Sequence, residues 1–111
     1  MTGITTHVLD TARGQPAAGV EVSLERSEGT EWVSVGHGLT DGDGRCQGLL
    51  SSPPSEGRYR LTFDTATYLD ATGAPGFYPE VSVVFAVDGE QQHYHVPLLL
   101  SPFGYSTYRG S

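Results

Sequence analysis

The chain has 111 residues, of which 37% are hydrophobic and 17% charged, with 15 glycines and 7 prolines. That length suits a single domain, residues 1–111, and the apolar content excludes the disordered class while the glycines and prolines favour short strands over long helices. Thirteen acids stand against six arginines and no lysine, a net charge of −7, which excludes a nucleic-acid surface and leaves any electron-rich ligand dependent on local arginine or histidine.

Cys46 is the only cysteine, so no disulfide framework exists and a reducing, cytoplasmic setting is the simplest expectation. Met1-Thr2-Gly3-Ile4 has neither a basic stretch nor an apolar core of the kind a leader carries. The apolar runs fall far short of the ~20 residues that span a bilayer, so no membrane partner is expected.

In chain order, residues 4–10 read as a strand with Ile4, Thr6 and Val8 on one face and Thr5, His7 and Leu9 on the other. A Gly/Pro loop over 12–19 leads to a second strand in which Val20, Val22 and Leu24 alternate with polar residues. The spacing predicts a turn at Ser27-Glu28-Gly29, a third strand over 32–39, a turn at Thr40 to Gly44 and a short fourth strand over 45–50. After a Pro-rich loop, Tyr59, Leu61 and Phe63 mark a half-buried fifth strand. Residues 65–72 form the one plausible helix, capped by Asp64 or Thr65 and ended by Gly73. Val81 to Val87, His93 to Ser101 and Tyr105 to Arg109 complete eight strands, an all-β two-sheet sandwich.

In the seventh strand Tyr94, Val96, Leu98 and Leu100 share a core face, whereas His93, His95, Pro97 and Leu99 share the other. On a monomer Pro97 and Leu99 would lie exposed beside an imidazole, so a second subunit is expected to cover them. If the first, seventh and last strands share a sheet, its outer face presents His7, His95 and Tyr108 together, and a symmetric copy would close a cleft over them. Ordinary strand histidines would give the same alternation, and periodicity alone does not choose. The polar tail Tyr108-Arg109-Gly110-Ser111 is costly to order unless it packs or binds something.

Other motifs carry less. His93 and His95 could chelate zinc, but no third ligand is identifiable, so no metal is expected. Cys46 lies on the strand face opposite Arg45 and reads as core. Asp41-Gly42-Asp43-Gly44 lacks the remaining ligands of a calcium loop, and Gly104 to Tyr108 lacks the closing glycine of a nucleophile elbow.

Pro97 through Ser111, Thr6-His7-Val8-Leu9-Asp10 with Gly14-Gln15-Pro16-Ala17, and Thr40-Asp41 through Arg45-Cys46 together resemble the 5-hydroxyisourate hydrolases, the transthyretin-related protein family. The resemblance runs over nearly the whole chain. It implies a transthyretin-like sandwich assembled as a homotetramer, with sites between dimers, that opens 5-hydroxyisourate without a cofactor. Catalytic positions carry over to His7, Arg45, His95 and Ser111. Substrate binding falls on His7, Arg45, Tyr108, Arg109 and Gly110. A transthyretin-like carrier that binds a small ligand without consuming it is the alternative; the terminal tetrapeptide and the His, Arg, His set favour the enzyme.

Overall fold

The computed structural model of the chain describes residues 3–110. In chain order it forms β1 (Gly3–Asp10), β2 (Gln15–Pro16), β3 (Glu21–Glu28), β4 (Glu31–Leu39), β5 (Arg45–Leu50), β6 (Gly57–Phe63), α1 (Thr65–Ala71), β7 (Val81–Val87), β8 (His93–Ser101) and β9 (Gly104–Thr107). Two sheets result. One runs β2-β1-β8-β9 with β5 also paired to β1, and the other runs β4-β3-β6-β7.

Alternation explains which residues meet between the sheets. Ile4, Val8, Tyr94, Val96, Leu98 and Leu100 point inward from the first sheet, and Val22, Leu24, Tyr59, Leu61 and Phe63 from the second, all buried. Each such side chain contributes about 1.5–3 kcal/mol by leaving water. Cys46 joins this core, where burial pushes its thiol above the ordinary value. The helix is fixed at both ends of its role. Asp64 caps it, accepting from the Thr67 backbone N–H at 3.2 Å, and the buried Tyr68 hydroxyl donates to Asp10 Oδ2 at 2.7 Å, tying helix to β1.

The expected strands and helix are present, with four differences. A two-residue strand, β2, sits in the predicted Gly/Pro loop because Leu9 and Asp10 find partners in Pro16 and Gln15. The β3–β4 turn is tighter than expected, since pairing continues to Glu28 and Glu31 and leaves only Gly29 and Thr30 outside. The last strand ends at Thr107 rather than Arg109, although Gly110 bridges His95 in the same register as the ladder. The ladder therefore lapses opposite Val96 and Pro97, and Pro97 has no N–H to donate there.

The fourth difference is the burial of Pro97, which was expected to lie exposed on the outer face. It is flanked by His7 on β1, and the Thr107 hydroxyl donates to its carbonyl at 2.7 Å. A central strand has neighbours on both sides, and these cover a short proline ring without help from another subunit. Leu99 remains half-buried beside Leu9, its partner in the parallel ladder.

Candidate active site

The site is a product of strand pairing. β1 and β8 run parallel with Thr5 opposite His95 and His7 opposite Pro97, while β5 runs antiparallel on the other side of β1 and sets Arg45 opposite His7. Period-two geometry then places Thr5, His7, His95 and Arg45 on the outer face of one sheet. Three segments distant in sequence supply them.

A single turn holds both His7 and Arg45. Asp41 Oδ1 accepts from the backbone N–H groups of Asp43 at 2.9 Å and Arg45 at 3.0 Å, and Gly44 N–H donates to the Asp41 carbonyl. Those donors, Arg45 N–H first, hold the Asp41 carboxyl below the usual carboxylate range. Gly44 adopts φ of +77° and its backbone abuts that of Val8, whose N–H donates to the Gly44 carbonyl at 2.7 Å. The turn also presents the Asp43 carbonyl to His7 Nε2 at 2.8 Å. A carbonyl only accepts, so Nε2 of His7 carries a proton and, in the neutral ring, Nδ1 is the nitrogen with the lone pair.

His95 is held on several sides. Its Nδ1 lies 2.8 Å from the Thr5 hydroxyl, its ring stacks on His93 at 6.4 Å between centroids and 15° between planes, and its carbonyl accepts from Gly110 N–H at 2.8 Å. A Cβ on Gly110 would fall 2.6 Å from His95 Cδ2, so the tail can approach the imidazole only as glycine. Burial first, then the charges of His93, Arg45 and His7, lower the His95 pKa from its ordinary value of 6.5. At neutral pH it is an uncharged imidazole.

This depression makes stability depend on pH with a definite sign. Between the unfolded-state value near 6.5 and the lower folded value, the unfolded chain binds more protons than the folded one, so stability rises with pH. Acidification below about pH 6.5 is expected to cost stability well before Asp41 is protonated, since that carboxyl titrates below 3.8 in the folded chain. Urea unfolding of wild type and His95→Gln at pH 7.5 and 5.5 checks this. The wild type should lose more than the variant, and equal losses would contradict a half-buried, neutral His95.

The tail divides by strand face. Gly110 lies against His95, and Tyr108 is 54% exposed on the segment opposite Pro97. Arg109 turns to the other face, where its guanidinium sits 5.1 Å from the centre of the Tyr94 ring; the Glu90 backbone N–H first, then the Tyr94 hydroxyl and more weakly the Arg109 charge, hold the Asp88 carboxyl below its ordinary value. The Tyr94 hydroxyl in turn donates to Asp88 Oδ1 at 2.7 Å. Ser111, expected to be catalytic, lies outside the described residues.

Sequence reasoning missed Thr5 and Asp41 as parts of the site. Thr5 was visible as a member of the His7 face, but its grip on His95 depends on a pairing between residues 90 apart. Asp41 was read only for what it lacks as a calcium ligand. Its side chain spends its lone pairs on backbone N–H groups instead.

A model of the HIUase/Transthyretin family matches residues 4–110. The 5-hydroxyisourate hydrolase of Mus musculus is 50% identical over 111 residues, covering 97% of this chain and 94% of that protein. The solved structure of Klebsiella pneumoniae 5-hydroxyisourate hydrolase matches with a TM-score of 0.87 at 36% identity, over 100% of both chains. Sea bream transthyretin, solved in complex with thyroxine, matches with a TM-score of 0.91 at 32% identity, over 96% of this chain and 93% of that one. Backbone likeness thus extends equally to a hydrolase and to a thyroxine-bound protein, and fold alone does not separate their activities. By sequence and by fold, the chain belongs to the HIUase/Transthyretin family.

Proposed function

We propose that the chain hydrolyses 5-hydroxyisourate to 2-oxo-4-hydroxy-4-carboxy-5-ureidoimidazoline, a step of urate degradation toward allantoin. The observation that supports this reading best is the pairing of β1 with β8 and β5, which gathers His7, His95 and Arg45 on one sheet face. Opening a cyclic acyl to nitrogen bond requires a proton acceptor for water, charge stabilisation at the acyl oxygen and a proton for the leaving nitrogen. Two imidazoles and a guanidinium match those needs, and no cofactor enters. Arg45 holds the oxygen-rich ring and the developing negative charge. Tyr108 and Ser111 position substrate or water, Gly110 lets the tail close on His95, and Arg109 anchors the tail through Tyr94.

The working form in this reading is a homotetramer whose sites lie between facing sheets. Leu9 and Leu99 remain only half-buried beside the histidines, and one sheet face gives the site a single wall. The lone buried Cys46 fits a reducing cytoplasm. A carrier reading has one observation in its favour, the TM-score of 0.91 to thyroxine-bound transthyretin.

Freshly generated 5-hydroxyisourate, followed in the ultraviolet, separates the two. Enzyme should accelerate its decay far beyond the spontaneous rate, whereas a carrier would bind it and leave that rate unchanged. Sedimentation of the same preparation at micromolar concentration should show a tetramer. A stable, fully active monomer would overturn the two-walled site.

A further inference from the structure

His93 presents an unusual buried atom. Its Nδ1 is buried and has no hydrogen-bond partner among the described residues, while its Nε2 lies 3.3 Å from the same Thr5 hydroxyl that approaches His95 Nδ1 at 2.8 Å. Thr5 is itself buried, at 5% exposure, and its branched Cβ restricts rotation of the hydroxyl-bearing group. One hydroxyl, with a single proton and two lone pairs, therefore faces two imidazoles.

Three arrangements fit both contacts, but the one in which both imidazoles donate to the Thr5 oxygen leaves the buried hydroxyl proton without an acceptor among the described residues, so two remain. In the first, His93 Nε2–H donates to Thr5, and Thr5 donates to His95 Nδ1; His93 Nδ1 is then a bare lone pair and His95 carries its proton on Nε2. In the second, His95 Nδ1–H donates to Thr5 and Thr5 donates to His93 Nε2, which forces an N–H onto the unpartnered His93 Nδ1. Buried N–H groups without acceptors are rarer than buried acceptors left unfilled, so the first costs less.

We infer that Thr5 is a positioning residue that fixes His95 as the Nε2–H tautomer, with His93 completing a hydrogen-bonded chain that runs His93 to Thr5 to His95. The chain turns the two site histidines into unlike partners. His7, its Nε2–H spent on the Asp43 carbonyl, offers the Nδ1 lone pair to water. His95 offers an N–H donor to the substrate. His93, which touches no substrate in this arrangement, acts through Thr5 alone.

The inference rests on the proposed hydrolysis for its kinetic test but not for its spectroscopic one. Nitrogen-15 labelling of histidine in the full chain at pH 8, with His95→Gln to assign the signals, reads the tautomer directly. Wild type should show His95 Nδ1 unprotonated and Nε2 protonated; the reverse overturns the inference whether or not the protein turns over substrate. In kinetics, Thr5→Val should lower kcat by about 10- to 100-fold with KM little changed, the scale that loss of a hydrogen-bond partner orienting a metal-bound histidine sets for such a role. Thr5→Ser, which keeps the hydroxyl, should restore kcat to within a few-fold of wild type. Wild-type kcat in Thr5→Val, or a Thr5→Ser as slow as it, overturns the role. If Thr5→Val does not fold, the labelled wild type decides the matter alone.

Discussion

His7→Ala and His95→Ala are each expected to lower kcat by about 10²- to 10⁴-fold, the range for loss of a positioned proton-transfer group. Both side chains lie on the outer sheet face, away from the core between the sheets, so truncation leaves that packing intact. His7→Ala frees the Asp43 carbonyl, which is near solvent and regains water. Arg45→Ala should differ in kind, raising KM as well as lowering kcat, because a guanidinium holds the ground state and the developing charge alike. It should also raise the His95 pKa, since the Arg45 charge is one cause of its depression. Steady-state kinetics across pH on the three variants, with sedimentation as a control, checks all of this. Wild-type kinetics in any one of them would remove that residue from the site.

Deleting Tyr108 to Ser111 is expected to abolish hydrolysis while leaving a folded sandwich. Among the described residues the deletion removes one backbone hydrogen bond to the His95 carbonyl and the stacking of Arg109 over Tyr94. Those are worth about 0.5–1.5 and 0.5–1 kcal/mol respectively, a small part of the stability of a domain this size. The loss of function should be far larger, because the imidazole of His95 loses the backbone that abuts its Cδ2 edge. Gly110→Ala sharpens the test, since one methyl must displace either the ring or the tail. Thermal unfolding and substrate decay on the same preparation give the two numbers. Activity near wild type in both variants would leave the tail without a catalytic part.

The alternation in β1, β6 and β8 is legible in the sequence because each strand has one dry face, and a period of two survives any choice of neighbour. The capped helix is legible too, because Asp64 and Gly73 act within a few residues of the turns they control. What pairs with what is not. Thr5 and His95 meet through a parallel ladder between distant strands, and nothing local in either segment encodes that register. Pro97 shows the same limit from the other direction. Its face is correct, but whether a residue on that face is covered depends on strands to either side that periodicity cannot place. Asp41 was obscured for another reason, since an aspartate that folds back on its own turn has the composition of a metal loop and none of its geometry.

That turn sets a constraint on how the site can vary. His7 and Arg45 sit on different strands, yet Asp43 fixes one and the Asp41 carboxylate fixes the start of the strand bearing the other, all within five consecutive residues. Slack in the turn cannot move one without the other. In the proposed reaction the acid–base group and the charge clamp would therefore be set as one unit by the turn at Asp41, opposite a His95 that is seated independently by Thr5 and the tail.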